Sequence, residues 1–229
     1  MILLECQWNG QKGAEIDLSD DIGNPSTHNP NNSNFQSLSD DEQCQALVIL
    51  FASVFPELEI IGGADEPFYQ APVYRSSYQS SFSQDKTLAN ELTGTEKLQS
   101  KAKLFFRANY PRSLLHELSH YCLAGKARRQ LDDFGYWYTP CGRDEAQQRA
   151  FEQVEARPQG LEKALCEAIG IAFSPSLDDF SGNPASAEFI EQLEVHYQQM
   201  LTAPPLLARR ALEALRHYRQ NVQLQNSRT

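Results

Sequence analysis

Pro111-Arg112-Ser113-Leu114-Leu115-His116-Glu117-Leu118-Ser119-His120-Tyr121-Cys122-Leu123-Ala124-Gly125 is the stretch on which the fold of this chain turns. Proline suits a first helical turn, Asn109 offers a capping side chain just ahead of it, and Gly125 suits a helix stop. Leu114, Leu115, Leu118, Tyr121 and Cys122 spread apolar character almost all round, which predicts a buried helix. Residues four apart advance about 400°, so His116 and His120 fall within about 40° of each other and roughly 6 Å apart along the axis. The string His116-Glu117-Leu118-Ser119-His120 is an H-E-x-x-H metal signature, expected by chance in a chain of this size with a probability of roughly 1% or less. Two imidazoles and a carboxylate in an apolar setting need partners, and one cation held by neutral imidazoles satisfies all three.

Working outward, the 229 residues can bury one sizeable core, and no break in composition divides them. The expectation is a single α+β domain, mainly helical, with a small sheet and a zincin-like metal helix. A net charge of −10 argues against a nucleic-acid binder, which carries a basic field. Lys126, Arg128 and Arg129 form a local basic cluster just past the metal helix, suited either to the helix C-terminal dipole or to an acidic partner. Five cysteines without a C-x-x-C pair suit a reducing cytoplasm, and no signal peptide or membrane-spanning run is expected.

Residues 1–40 read as a disordered tail, rich in Asn, Ser, Asp and Gly, with His28 solvated within it. A helix follows from about Asp40, with Leu47, Leu50, Phe51, Val54 and Phe55 as its apolar stripe and Pro56 as its close. Leu58-Glu59-Ile60-Ile61 and Lys103-Leu104-Phe105-Phe106 are strand candidates, separated by turn residues and a polar insertion at about 75–100. Helices are expected at 145–156, 161–173, 185–201 and 204–219, with a short tail over 223–229. Trp137 is read as core, and His196 and His217 lack ligand spacing.

A catalytic metal commonly takes three protein ligands and keeps positions open. With Phe151 and Val154 taken as the inward face of the 145–156 helix, Glu155 lies roughly 70° from its centre and Glu152 roughly 130° away. Glu155 is therefore the better third ligand and Glu152 the alternative, with Asp132, Asp133 and Asp144 behind them. Pro158 is expected to end that helix. Two histidines and a carboxylate serve zinc hydrolases, where Glu117 would be the general base on metal-bound water, and equally non-haem iron oxygenases using dioxygen. The residues alone leave both open.

Beyond the metal signature, Asp65-Glu66-Pro67 with Tyr69, Ala124-Gly125-Lys126-Ala127-Arg128-Arg129, Asp133-Phe134-Gly135-Tyr136-Trp137-Tyr138, Gly142-Arg143-Asp144 and Phe151-Glu152-Gln153-Val154-Glu155 with Pro158-Gln159 together resemble the elongation factor P hydroxylases. The resemblance covers most of residues 45–220. It implies a metal-dependent hydroxylase domain over 41–222, of non-haem iron type and without peptidase activity. The implied substrate is the lysine of elongation factor P that already carries a β-lysyl group. The implied ligands are His116, His120 and a carboxylate of the Phe151–Glu155 string, with Glu117 handling protons beside them. A doubly cationic lysyl-lysine arm needs negative partners, so Asp65 and Glu66 are candidate pocket walls, against a plain turn before Pro67. Tyr136, Tyr138, Arg143 and Asp144 are candidates for lining or bracing the site. The metal expected is a single divalent ion, iron rather than zinc, with dioxygen as cosubstrate and the electron donor left open. The other readings are a zinc metallopeptidase and a non-catalytic, metal-stabilised binding protein for elongation factor P. Departures from the family pattern are the tail, the 75–100 insertion and Cys141, where an acidic residue is expected.

Overall fold

The computed structural model describes residues 35–75, 97–135, 144–177 and 185–226. In chain order these form α1 (Asp40–Val54), β1 (Leu58–Ala64), β2 (Phe68–Gln70), β3 (Val73–Arg75), β4 (Lys97–Ser100), β5 (Ala102–Arg107), α2 (Pro111–Leu123), α3 (Glu145–Ile169), α4 (Ala187–Thr202) and α5 (Leu206–Asn226). The chain is thus mainly helical with a small sheet. Strand β5 lies between β1, its parallel partner, and β2, its antiparallel one. Leu58 and Ile60 of β1 alternate inward, as do Ala102, Leu104 and Phe106 of β5, so one face of the sheet is apolar. That face meets α1 and α2, and Leu47, Phe51, Phe55, Leu104, Phe106, Leu114, Leu115 and Leu118 share a single core with Leu161, Leu165 and Ile169 of α3.

Helix α1 starts where the sequence reading places it, because Ser39 and Glu42 form a reciprocal capping box. Its buried side is Leu47 and Phe51 of the expected stripe together with Cys44, which lies outside that stripe. Strand β1 runs three residues beyond the expected Ile61, through Gly62 and Gly63, with a register irregularity before Ala64. Gly62 has a steric reason. A Cβ there would stand 2.6 Å from Phe106 and 2.7 Å from Asn109. The two ends of the polar insertion pair with each other as β3 and β4, and its middle lies outside the described residues, as do the 1–34 part of the tail and Trp137.

Helix α2 has Pro111 in its first turn as expected, but Asn109 does not cap it. Tyr110 is the N-cap residue and gives no side-chain bond. The entry is held instead by Ser113, whose Oγ accepts from Arg107 N at 2.9 Å and so ties the end of β5 to the first turn.

The expectation of two helices divided at Pro158 is wrong: α3 runs unbroken from Glu145 to Ile169 with Pro158 inside it, and Gly170 at φ 93° ends it, short of Phe173. Proline removes one donor from the ladder, the one that would reach Val154. Val154 is exposed rather than inward, so water can serve its carbonyl. The helix then survives because it is buried against its neighbours on either side of the proline: α2, α4 and α5 all pack on it. Gly160 lets α4 come close, since a Cβ there would stand 2.8 Å from Tyr197 N and 3.0 Å from Leu193 O. Helix α5 extends through Asn226, past the expected start of a tail at 223.

Candidate metal centre

One face of α2 repeats at i, i+4 and i+8 as Arg112, His116 and His120, and one face of α3 carries Glu155, Gln159 and Glu162 at i, i+4 and i+7. The two rows meet. His116 Nε2 and His120 Nε2 are 3.2 Å apart. The Glu155 carboxylate stands 3.6 Å from the first and 3.5 Å from the second. Donors about 2.0–2.2 Å from one shared ion stand roughly 3–3.5 Å from each other, so the three side chains fit a single divalent metal. Glu155 is 3% exposed and is the buried member of the set.

Each member is braced. Gln159 donates from Nε2 to Glu155 Oε2 at 3.5 Å and to Ser176 O at 2.6 Å, while its Oε1 accepts from Ser176 N at 3.0 Å. Glu162 stands 2.9 Å from His116 Nδ1 and accepts from Arg112 Nε and Nη2 at 3.3 and 3.2 Å. On the far side, the Phe134 ring lies nearly parallel to that of His120, 6.5 Å away, and stacks on Tyr69 at 4.1 Å. Asp133 and Phe134 sit at φ 46° and 56°, left-handed values that side chains other than glycine adopt only when their surroundings impose them. Those surroundings are visible: Asp133 accepts from Tyr69 N and Asp132 from Ala71 N, both at 2.9 Å, so the two carboxylates serve the free edge of β2. Neither joins the histidines.

Burial works against a charge on His116, but its bond to Glu162 and the charges of Glu155, Glu162 and Glu117 hold its pKa up at about 10 in the metal-free chain. Burial likewise pushes the Glu155 carboxyl up, and His120, His116 and Gln159 outweigh it and hold it down at about 2. A proton thus stands in for a cation among these groups, and an incoming ion has to displace it.

Beside the cluster opens a pocket of about 390 Å³. Its described lining carries four carboxylates, Glu66, Glu117, Glu155 and Glu162, against the two guanidinium groups of Arg107 and Arg112. Glu66 reaches its mouth, exposed and paired to Arg107 at 3.3 Å. Asp65 does not line it and contributes its carbonyl to Arg107 Nε instead. Asp144 caps α3, accepting from Gln147 N at 2.8 Å, and lies outside the pocket lining. Tyr136, Tyr138 and Arg143 lie outside the described residues.

Glu152 does not approach the histidines. Its carboxylate is buried against α4, where it accepts from Ser186 Oγ at 2.5 Å, and Ser186 in turn caps that helix. Arg129 reaches back to Ala124 O at the end of α2 and lies over the Tyr121 ring, while Arg128 donates to Phe134 O and so braces the turn behind His120. His196 pairs with Gln199 away from the cluster.

Arg112 and Glu162 had no part in the sequence reading. Glu162 falls seven residues after Glu155, two turns along and on the same face, but that spacing has meaning only once α3 is one helix.

A His-His-carboxylate set on an H-E-x-x-H helix, its carboxylate buried and its histidines beside a pocket, could hold one metal ion and has the donor types that mononuclear metal enzymes use. Residues 50–228 match the elongation factor P hydroxylase family. A Haemophilus influenzae protein named elongation factor P lysine hydroxylase is 35% identical over 179 residues, 77% of this chain and 86% of that protein. The chain belongs to the elongation factor P hydroxylase family.

Proposed function

We propose that this chain hydroxylates elongation factor P on the lysine side chain that already carries a β-lysyl group, with His116, His120 and Glu155 holding one iron ion. The observation that carries the reading is the convergence of these three donors beside a pocket, in a member of this family. A divalent iron bound there supplies activation of dioxygen, which an unactivated C–H bond requires because no protein base can take its hydrogen as a proton.

The chain's own residues do the rest. His116, His120 and Glu155 would hold the ion beside the pocket. Gln159 keeps Glu155 from turning away. Glu117, in the pocket wall next to His116, holds or passes on a proton at its carboxylate. Glu66 receives an ammonium group of the lysyl-lysine arm at the mouth of the pocket. One oxygen atom enters the lysine side chain and the other leaves as water, so two electrons and two protons come from an external donor.

The test is the intact mass of β-lysylated elongation factor P after aerobic incubation with the Fe(II)-loaded protein and a reductant, with His116→Ala run beside it. A gain of one oxygen with the unmutated protein alone is expected. An unchanged mass with several reductants, together with metal-dependent cleavage of peptides, overturns the reading in favour of a hydrolase.

A further inference from the structure

We infer that Glu162, anchored by Arg112, is the positioning residue that decides which nitrogen of His116 faces the ion. The inference rests on the ligand set proposed above. A neutral imidazole carries one N–H, and a carboxylate only accepts. Glu162 Oε2, 2.9 Å from His116 Nδ1, therefore keeps the hydrogen on Nδ1 and turns the lone pair of Nε2 towards His120 and Glu155. Glu162 is 2% exposed, so water does not take over this role.

Arg112 fixes the other oxygen. Guanidinium has donors and no acceptor, and two of its nitrogens address Glu162 Oε1 at 3.3 and 3.2 Å. Arg112 is itself held independently of Glu162, by a bond to Ser174 O and by its place over the Phe173 ring.

This arrangement gives Glu162→Gln an unusual outcome. The amide is nearly isosteric but has one oxygen and one NH2 group. Arg112 requires the oxygen on its own side, which leaves the NH2 group facing His116 Nδ1. That group donates, so the lone pair moves to Nδ1 and the hydrogen to Nε2, the atom that has to meet the ion. Metal affinity falls, by roughly 10–100-fold as for other partners of metal-bound histidines. Adding Arg112→Met removes the donors, lets the amide turn over and offers its oxygen to His116, and affinity recovers. Arg112→Met alone keeps a carboxylate acceptor on Nδ1 and is the reference that separates loss of the guanidinium from reversal of the amide.

The experiment is Co(II) titration of the metal-stripped full chain against a chromophoric chelator, with circular dichroism to verify folding, for the unmutated protein, His116→Ala, Glu162→Gln, Arg112→Met and the double variant. The expected result is one Co(II) per unmutated chain, at least about tenfold weaker binding by Glu162→Gln, and recovery of most of that loss in the double variant. Folded Glu162→Gln binding as tightly as the unmutated chain overturns the inference, and so does a double variant no better than Glu162→Gln. If His116→Ala binds as tightly as the unmutated chain, the ligand set itself is wrong and the inference falls with it. Long-range nitrogen–proton correlation spectra of the Zn(II)-loaded unmutated protein give a check independent of any variant's folding: His116 is expected as Nδ1–H with Nε2 on the metal, and coordination through Nδ1 overturns the inference.

Discussion

The Glu155 carboxylate and His116 Nε2 lie 3.6 Å apart across the α2–α3 contact, with opposite shifts: the acid is held down at about 2 and the imidazole up at about 10. Both favour the folded metal-free chain, over different ranges. The raised His116 contributes fully below its ordinary pKa near 6.5 and loses that contribution as pH rises towards about 10. The lowered Glu155 contributes above its ordinary value near 4.5 and loses it as pH falls towards about 2. The contribution of this pair to stability is therefore largest between about pH 4.5 and 6.5. Subtracting the denaturation midpoints of His116→Ala from those of the metal-stripped parent across pH measures it. A difference flat from pH 4 to 10 would sink the idea.

Metal binding carries the complementary dependence. Because the ion displaces a proton from His116, apparent affinity rises by about tenfold per pH unit for each proton released, up to the pKa of about 10. Competition titrations at pH 6, 7 and 8 should show that slope, and proton release can be read calorimetrically in buffers of different ionisation enthalpy.

Glu155 and Glu152 are one helical turn apart and give opposite predictions. Glu155→Gln leaves the neighbouring imidazoles without their carboxylate and should abolish stoichiometric metal retention and hydroxylation together. Glu152→Ala should retain the metal while losing the bond from Ser186, at a cost to stability of about 1–3 kcal/mol, the penalty for a buried polar group left without its partner. Elemental analysis beside urea unfolding separates the two.

Behind His120, the Tyr69–Phe134 stack should matter more for its area than for its hydroxyl. Tyr69→Phe removes only the bond to Arg129 O and is expected to cost about 1 kcal/mol. Phe134→Ala empties a buried site, 4% exposed, and is expected to cost about 3–5 kcal/mol and to weaken metal retention by freeing one side of His120. Equal costs for the two variants would contradict this.

Gly160 tests how tightly α3 is seated on α4, with urea unfolding as the measurement. Gly160→Ala puts a methyl group against the backbone of Leu193 and Tyr197, which cannot turn aside as a side chain can. About 1–3 kcal/mol of destabilisation is expected, despite alanine's better helix propensity. A variant more stable than its parent would show that α4 yields easily.

Glu155 was legible as a ligand candidate partly for the wrong reason. Val154, taken as inward, is exposed, and the true inner face runs through Phe151, Glu152, Glu155 and Gln159. A helical wheel reports angles but not which neighbours fill them, so it could not tell that Glu152 turns to α4 while Glu155 turns to α2. Reading Pro158 as a helix end had a further consequence: it cut Glu162 from the face that carries Glu155. Proline's missing donor is a local cost, and packing along both halves of α3 outweighs it, which no local rule registers.

The sequence by itself determined the local features: the H-E-x-x-H helix with its two histidines one turn apart, the start of α1 near Asp40, the strands β1 and β5, and the family. These follow from spacing along one chain, where geometry is set by 3.6 residues per turn or by the pleat. Only the tertiary structure decided which carboxylate stands beside the histidine pair, that Asp132 and Asp133 serve a strand edge instead, and that Arg112 and Glu162 stand behind His116. Those are relations between elements distant in sequence, set by how α2, α3 and the sheet pack around a shared core.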